Sequence, residues 1–288
     1  MDRVLLVGAS GFVGRHVRER LRAVPGVELV VSGRSLGPAR LDLAATALPE
    51  LSGLLADVRP TAVVNCAGVI HGPAAELVAG NVTGVARLVR AMGDAVPGAR
   101  LVQVGSAAEY GAHAVPVRED AECRPLGEYG LTKLAGTELV RAAARDGQDA
   151  VVLRLFNPIG PGAPVTSVTG RLIAGLRAGG ELRLGGTGDV RDFVDVRDAA
   201  DAIVAAALAP GRLPPVLNLG TGRGVTVREL VTVMIEVADW RGHVVLDDDG
   251  GSALPWSCAD VAAIRAVLGW QAGTGLRDSL ADAWGVAG

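Results

Sequence analysis

Short apolar runs alternate along the chain with longer stretches in which apolar residues recur at helical spacing. The first run, residues 4–7, is long enough for one buried strand and too short for a helix. Similar runs predict strands at 28–32, 61–65, 101–104, 150–155 and 216–219. Helical spacing begins near residue 12 and recurs at 51–57, 75–92, 129–144, 225–238 and 260–268. Strands separated by helix-length segments form right-handed βαβ units, so we predict an α/β fold with a Rossmann-type, doubly wound parallel sheet.

A glycine-rich turn with the sequence GASGFVG, residues 8–14, lies between the first strand and the first helix. This context is the one that a dinucleotide-binding turn requires. Gly8 permits the tight turn, Gly11 lets the backbone approach a pyrophosphate, and Gly14 lets the helix pack against the strand. The N-terminus of the helix offers unpaired N–H donors to the phosphates. The turn therefore predicts a nucleotide site rather than an ordinary connection.

The regular alternation weakens after residue 160, where glycine and proline become dense. The apolar run at 216–219 then indicates a return to the sheet. We predict a dinucleotide-binding domain over 1–157, to which 190–221 return. The segments 158–189 and 222–288 are predicted to form a smaller C-terminal substrate-binding lobe.

The composition allows a large core and narrows the possible partners. Hydrophobic residues make up 49% of the 288 residues and aromatic residues only 3%, so the core consists mainly of Ala, Val and Leu. A formal net charge of −3 argues against a general nucleic-acid or anionic-membrane binder. Local basic sites for an anionic substrate remain compatible with that charge.

Cysteine usage and hydropathy indicate a cytoplasmic protein. Cys66, Cys123 and Cys258 are far apart and form no CxxC pair, which suits a reducing compartment and offers no disulfide framework. Three consecutive aspartates at 247–249 are interpreted as a solvated turn, because consecutive side chains do not easily converge on one ion. No apolar run approaches the ~20 residues of a membrane span. We therefore expect no metal site and no membrane segment.

Polar side chains follow the predicted strands at the edge of the sheet where ligands bind. They are Asn65, Ser106 and Tyr129, the last at the start of a helix. Lys133 follows Tyr129 by four residues and so shares its helix face. A free tyrosine titrates near ~10, and a neighbouring cation would help it to act as an acid–base group at neutral pH.

Taken together, several motifs resemble the short-chain dehydrogenase/reductase superfamily. The motifs are GASGFVG at 8–14, NCAG at 65–68, Ser106 four residues before Tyr110-Gly111, and YGLTK at 129–133. Three further motifs resemble the extended branch, which modifies nucleotide sugars. These are RLFNPIGPG at 154–162, RDFVDVRD at 191–198 and NLGTG at 218–222. The resemblance covers nearly the whole chain.

The resemblance implies roles for individual residues. Ser106 and Tyr129 would hydrogen-bond a substrate carbonyl or hydroxyl, Tyr129 would transfer the proton, and Lys133 would bind the nicotinamide ribose and lower the pKa of the tyrosine. The implied cofactor contacts are Gly8, Ser10, Gly11, Phe12, Val13, Gly14, Ser32, Arg34, Asp42, Leu43, Ala67, Gly68, Tyr129 and Lys133. The implied substrate contacts are Ser106, Ala107, Tyr129, Asn157 and Arg191.

Two charged residues near these motifs each have two interpretations. Arg154 is interpreted either as a second contact to the substrate diphosphate or as a cap of its strand. Glu109 is interpreted as a solvent-facing loop residue, with a polar contact to the sugar as the alternative.

The end of the second strand predicts the cofactor. NAD-selective sites carry an acid there, which accepts hydrogen bonds from the ribose 2′-OH. Here the position is Ser32 or Gly33, and Arg34 follows directly. A guanidinium pairs with a 2′-phosphate through two parallel bonds. We therefore expect NADP(H) to be preferred, with NAD(H) as the alternative. Asp42 matches the adenine-contacting position of the family.

The residues after Ser106 separate the reactions of the branch. Sugar-nucleotide 4,6-dehydratases carry an Asp-Glu pair there, whereas this chain has Ala107 and Ala108. The sequence is most similar to reductases of nucleotide-linked 4-keto-6-deoxy sugars, such as the GDP-4-keto-6-deoxymannose reductases. The resemblance therefore implies a 4-ketoreductase. The nucleotide (GDP, dTDP or UDP) and the stereochemistry at C4 stay open.

The sequence leaves two alternative functions open, and the resemblance implies an oligomeric state. A nucleotide-sugar 4-epimerase with tightly bound NAD has a similar serine and no acidic pair. A non-catalytic NADP-binding regulatory protein would usually lack the tyrosine or the lysine. The resemblance also implies a homodimer through the helices at 75–92 and 129–144, with Leu88 and Leu139 as contact candidates.

Overall fold

The computed structural model describes residues 2–33, 39–179, 181–246 and 255–286. Its main sheet has seven strands in the order β11-β6-β5-β4-β1-β2-β3, and every neighbouring pair is parallel. The strands are β1 Asp2–Val7, β2 Val27–Gly33, β3 Ala39–Arg40, β4 Ala62–Asn65, β5 Arg100–Ser106, β6 Ala150–Leu155 and β11 Val216–Leu219. This sheet confirms the predicted Rossmann-type fold class.

Helices cover both faces of the sheet. The described helices are α1 Phe12–Arg22, α2 Leu48–Val58, α3 Ala74–Val78, α4 Gly84–Ala95, α5 Glu128–Arg145, α6 Val168–Ala178, α7 Val196–Leu208, α8 Val227–Val237, α9 Ala262–Leu268 and α10 Leu276–Val286. Apolar residues of α1, α7 and α9 form the core on one face, and those of α2, α4 and α5 form the core on the other. Since both faces are covered, the strands are almost continuously apolar.

Short strands and three helices form the smaller lobe. The remaining strands are β7 Pro158–Ile159, β8 Leu182–Leu184, β9 Val190–Asp192, β10 Val194–Asp195, β12 Gly224–Thr226, β13 Val244–Leu246 and β14 Trp256–Ser257. Strand β9 lies between β12 and β14 in a three-stranded sheet, and β7 pairs with β10. Helices α6, α8 and α10 pack on these strands in a separate apolar cluster.

The apolar pattern located six of the seven strands of the main sheet and missed β3 and several helical features. The stretch predicted as one helix at 75–92 is divided by a π-helical turn, Ala79–Thr83. Helices α6, α7 and α10 were not predicted, because glycine and alanine dilute their periodicity. Ile264 and Trp270, within the segment assigned to the lobe, pack in the core beneath the main sheet. The division into two domains stays a prediction.

The structure bears on two further expectations, the absence of a membrane segment and the contacts of the dimer. Among the described helices, none combines the length and the apolar character that a membrane span requires. Leu88, named as a dimer contact, is fully buried in the core of the single chain. It is therefore wrong as an interface residue, because its helix turns the leucine toward the sheet. Leu139 is half-buried.

Candidate active site

The glycine loop, residues 8–14, joins β1 to α1 in very close contact with the end of β4. Gly8 has a φ of +81°, and a Cβ built on it would lie 2.5 Å from the backbone nitrogen of Ala67. A Cβ on Gly14 would lie 2.0 Å from the carbonyl oxygen of Gly8. Both positions therefore exclude any larger residue. Among the described atoms, a Cβ on Gly11 would meet only the Gly8 carbonyl oxygen, at 3.4 Å, so the loop is open on that side.

The first turn of α1 faces this open side of the glycine loop. Gly11 is the N-terminal cap of the helix and has no side chain to occupy the N–H groups that follow it. Those groups belong to Phe12, Val13 and Gly14. Ser10 and Gly11 are exposed beside them. A glycine cradle with free helical donors fits the pyrophosphate of a dinucleotide.

The residues expected to contact the adenosine end lie at the ends of β2 and β3. Ser32 is fully buried, and its carbonyl oxygen accepts a hydrogen bond from the Gly8 nitrogen at 3.3 Å. The Asp42 carboxylate accepts one from a backbone N–H two residues further on, at 3.0 Å. Leu43 packs in the core on the α2 face of the sheet. Arg34 and the aspartates at 247–249 lie outside the described residues.

Ser106, Tyr129 and Lys133 meet at the carboxyl end of β5. Ser106 ends the strand, and its Oγ accepts a hydrogen bond from the Ala108 nitrogen at 3.2 Å. Tyr129 lies in the first turn of α5, where its side chain is close enough to that of Ser106 to interact with it. Lys133, one turn on, is buried and donates from Nζ to the carbonyl oxygen of Val104 at 2.6 Å. The structure thus brings the three predicted catalytic residues together.

The electrostatics of this group are dominated by burial. Burial raises the pKa of Tyr129 above its usual range, the hydrogen bond with Ser106 lowers it, and the charge of Glu109 raises it. Burial lowers the pKa of Lys133, against the charges of Glu109 and Cys66. The resemblance implied a lowered pKa for Tyr129, whereas the net shift in this structure is upward. At neutral pH the phenol is therefore protonated and has a proton to give, but it is a weaker acid than a free tyrosine.

The turn after β4 closes the site on the other side of Lys133. The Asn65 Oδ1 accepts a hydrogen bond from the Ala67 nitrogen at 3.0 Å, and its Nδ2 donates to Gln103 Oε1 at 2.8 Å. A Cβ on Gly68 would lie 3.9 Å from Lys133 Nζ. Asn65 therefore fixes the turn by bonding the Ala67 nitrogen, while Gly68 lies beside the ammonium group.

Asn81 is a site residue that the sequence did not reveal. It lies in the π-helical turn and is buried. Its Oδ1 accepts from the Val69 nitrogen at 2.9 Å, and its Nδ2 donates to the Val69 oxygen at 2.8 Å and to Thr132 Oγ1 at 3.1 Å. One side chain therefore ties the turn after β4 to α5. A buried asparagine within an otherwise apolar helical stretch is the signal that could have identified it.

Glu109 and Arg154 correct two interpretations made from the sequence. Glu109 is fully buried rather than solvent-facing, and Arg154 is 1% exposed. Arg154 Nε donates to Glu109 Oε2 at 2.8 Å. The arginine is neither a strand cap nor available to a diphosphate, because its partner lies inside the protein.

The predicted substrate residues lie around the carboxyl ends of β5 and β6 and on β9. Ala107 is buried in the turn after Ser106. Asn157 follows β6 and donates from Nδ2 to the carbonyl oxygen of Asp192 at 3.0 Å, which places it beside β9. Arg191, on β9, forms an ion pair with Asp189 at 3.1 Å. The structure therefore brings Asn157 close to the strand that carries Arg191.

A Rossmann-type sheet with serine, tyrosine and lysine at its carboxyl edge defines an extended short-chain dehydrogenase/reductase. A family model described as the NAD dependent epimerase/dehydratase family matches residues 4–220. The chain belongs to this family and is an NAD(P)-dependent enzyme.

Individual relatives cover almost the whole chain. The chain is 38% identical over 302 residues to dTDP-6-deoxy-L-talose 4-dehydrogenase (NAD(P)(+)) of Kitasatospora kifunensis, covering 98% of this chain and 94% of that protein. It is 32% identical over 306 residues to UDP-glucose 4-epimerase of Azospirillum brasilense, covering 93% and 86%. Among solved structures, MoeE5 in complex with UDP-glucuronic acid and NAD is 31% identical, with a TM-score of 0.87 and coverage of 99% and 98%.

Proposed function

We propose that the protein reduces the C4 keto group of a nucleotide-linked 4-keto-6-deoxy sugar, using NADPH in preference to NADH. The observation that carries this proposal is the contact of Ser106 with Tyr129 at the carboxyl end of β5. Lys133 lies one helical turn further on, and the glycine loop lies across the turn after β4.

Ser106, Tyr129 and Lys133 each have a separate role in the proposed reduction of the ketone. NADPH, when bound, supplies the hydride that C4 receives. Ser106 polarises the C4 carbonyl by hydrogen bonding, and Tyr129 gives its proton to the oxygen as the carbon is reduced. The carbonyl becomes a secondary hydroxyl. Lys133 holds its ammonium group between Val104 and Gly68, where it binds the ribose and stabilises the phenolate left behind.

The residues that follow Ser106 support reduction over dehydration. Ala107 and Ala108 carry no acid–base group, and the carboxylate of Glu109, the next residue of the turn, is buried against Arg154. The positions that hold the acid pair in dehydratases therefore offer nothing that removes water across two sugar carbons. The similarity to a 4-dehydrogenase of a dTDP-linked 6-deoxy sugar also supports chemistry at C4. The proposed substrate contacts are Ser106, Ala107, Tyr129, Asn157 and Arg191.

A 4-epimerase is the second candidate, favoured by the similarity to a UDP-glucose 4-epimerase. Such an enzyme oxidises and then reduces C4 with the same cofactor, so it needs no acid pair after Ser106 either. It differs from a reductase in that it causes no net consumption of NADPH. That difference makes the two activities separable in one assay.

A panel of nucleotide sugars tests the proposal. The purified protein is incubated with NADPH and with the dTDP-, GDP- and UDP-linked 4-keto-6-deoxy hexoses, and absorbance at the nicotinamide band is followed. We expect stoichiometric NADPH oxidation with one nucleotide series. Interconversion of UDP-glucose and UDP-galactose without NADPH oxidation would establish the epimerase instead, and binding of NADPH without turnover of any sugar would indicate a regulatory protein.

The NADP(H) preference is proposed from the loop after β2. Arg34 follows a strand end with no acid, and a charge-assisted pair with the 2′-phosphate is worth about 1.5–3 kcal/mol. Arg34→Ala should therefore lower the ratio of kcat/KM for NADPH to that for NADH about ten-fold or more. Steady-state kinetics with both cofactors measure this ratio. A wild-type preference for NADH, or a ratio unchanged by the substitution, would contradict the proposal.

The assembly and the location stay predictions. The proposed homodimer would use the exposed sides of α4 and α5, with Leu139 rather than Leu88 among its contacts. The proposed compartment is the cytoplasm, and the proposed partner is the nucleotide-sugar substrate, with neither nucleic acid nor membrane involved.

A further inference from the structure

A buried ion pair lies directly beneath Ser106, and the proposed chemistry does not use it. The Glu109 carboxylate accepts from Arg154 Nε at 2.8 Å through Oε2, and the two side chains are 0% and 1% exposed. Its other oxygen, Oε1, accepts from the backbone nitrogen of Ser106 at 2.8 Å. One carboxylate thus connects β6 to the residue whose hydroxyl contacts Tyr129.

The strand beneath Ser106 leaves just enough room for this carboxylate. Gly105 pairs with Arg154 in the register of β5 and β6. A Cβ on Gly105 would lie 2.8 Å from Glu109 Oε1 and 2.7 Å from Val152 Cγ1. The carboxylate occupies its position because Gly105 has no side chain.

The arginine is held in place from its other side as well. Its guanidinium carbon lies 4.3 Å from the centre of the Tyr110 ring, within the range of a cation–π contact. The Tyr110 hydroxyl donates to Asn218 Oδ1 at 2.6 Å. Arg154 therefore presents a fixed donor to Glu109, and Glu109 presents a fixed acceptor to Ser106.

Stability alone does not account for such a pair. Apolar residues of similar volume in place of a buried ion pair are often neutral or stabilising, because two charges must be removed from water. We propose that Glu109 and Arg154 are a positioning pair, which holds the Ser106 hydroxyl against Tyr129 and keeps a negative charge beside the proton donor. This inference rests on the proposed role of Tyr129.

Three charged or titratable side chains face the Glu109 carboxylate from neighbouring elements. Arg154 faces it from β6, Lys133 faces it from α5, and Cys123 faces it from the segment before α5. Burial makes the largest contribution to the raised pKa of Tyr129, and the Glu109 charge adds to it. Removing that charge should lower the pKa of Tyr129, because the Glu109 carboxylate then no longer repels the phenolate.

The chain offers a direct measurement of this effect, because it contains only two tyrosines. A protein labelled with ¹³C at the tyrosine Cζ gives two resonances, and Tyr110→Phe assigns them. Burial raises the pKa of both tyrosines, so the assignment from Tyr110→Phe identifies which titration belongs to Tyr129. We expect Glu109→Gln, which keeps an acceptor for the Ser106 nitrogen, to move the Tyr129 titration to lower pH.

A second variant tests the positioning of Ser106 without an unpaired buried charge. Glu109→Ala/Arg154→Met removes both charges and the acceptor for the Ser106 nitrogen. We expect kcat to fall about 10²-fold, as for small misplacements of catalytic groups, while the Kd for NADPH stays unchanged. The folded fraction is checked by thermal unfolding followed by circular dichroism.

A matched ion pair at the far ends of the same strands provides the control. Arg100 begins β5, and its guanidinium binds Asp149, just before β6, at 2.9 Å with 7% and 24% exposure. Arg100 also donates to the carbonyl oxygens of Ala206 and Ala209, so Arg100→Met/Asp149→Ala should lower the Tm, but without changing kcat or the titration of Tyr129. A similar loss of kcat in this control would show that the loss in Glu109→Ala/Arg154→Met comes from a general destabilisation of β5 and β6. That result would overturn the proposal.

The remaining outcomes separate this inference from the proposed function. An unchanged Tyr129 titration in Glu109→Gln, together with full kcat in Glu109→Ala/Arg154→Met, would make the pair purely structural and refute the inference. A wild-type protein that reduces none of the sugar nucleotides, combined with a shifted Tyr129 titration in Glu109→Gln, would refute the proposed function and support the charge effect of Glu109.

Discussion

Tyr129→Phe should lower kcat by about 10²–10⁴-fold, because the substitution removes the proton that the new alkoxide requires. The ring remains, so the packing of α5 against the Ser106 turn is preserved. The hydroxyl that is lost interacts with the Ser106 side chain. Steady-state NADPH oxidation, with whichever sugar nucleotide of the panel is reduced by the wild-type protein, measures the effect.

Cofactor affinity serves as the internal control for this variant. The substitution changes neither Lys133 nor the glycine loop, so the Kd for NADPH should change little. Quenching of tryptophan fluorescence reports that affinity independently of turnover. Full activity in Tyr129→Phe would refute the proposed mechanism, and a parallel loss of NADPH binding would show that the variant had lost its folded site.

Gly14→Ala should have the second-largest effect, on both stability and cofactor binding. Its Cβ would lie 2.0 Å from the carbonyl oxygen of Gly8, a backbone atom that cannot turn aside. Forcing α1 away from β1 should cost about 3 kcal/mol, at the upper end of the range for overpacked sites. The displaced helix would no longer direct its N–H groups at the pyrophosphate, so NADPH affinity should fall more than ten-fold. Chemical denaturation and fluorescence titration measure the two losses.

Gly93→Ala is the matched control for that substitution. Gly93 lies in α4, is exposed, and would have no described atom within 4 Å of its new Cβ. Alanine there should stabilise the protein by about 0.5–1 kcal/mol, because glycine is a poor helix former. If Gly14→Ala behaved like Gly93→Ala, the close packing of α1 on the glycine loop would be disproved.

The sequence predicted those parts of the site in which neighbouring residues determine the geometry. The YGLTK spacing places Tyr129 and Lys133 on one helix face, and the structure has them one turn apart in α5. The glycine loop follows from the strand before it and the helix after it. In both cases the chemistry and the fold are set within fewer than about two helical turns of chain.

The parts that escaped prediction depend on contacts between distant segments. Glu109 and Arg154 are 45 positions apart, and only the register of β5 against β6 makes them neighbours. A glutamate in a loop is ordinarily solvated, so burial of this one could not be inferred from its surroundings in sequence. Trp270 is a similar case, because it packs beneath the main sheet after the chain has already passed through the lobe.

The central position of β9 in the small sheet has a consequence for synthesis on the ribosome. Arg191 lies on this strand, and β9 pairs with Gly224–Thr226 on one side and with Trp256–Ser257 on the other. The second partner leaves the exit tunnel long after the glycine loop and the Tyr129 helix have emerged. A nascent chain that stops short of Trp256 therefore has an open strand edge and an uncovered apolar cluster, which are features that holdase chaperones recognise. The strand that carries the arginine proposed to bind substrate therefore gains its second partner only late in translation, after Trp256 has emerged.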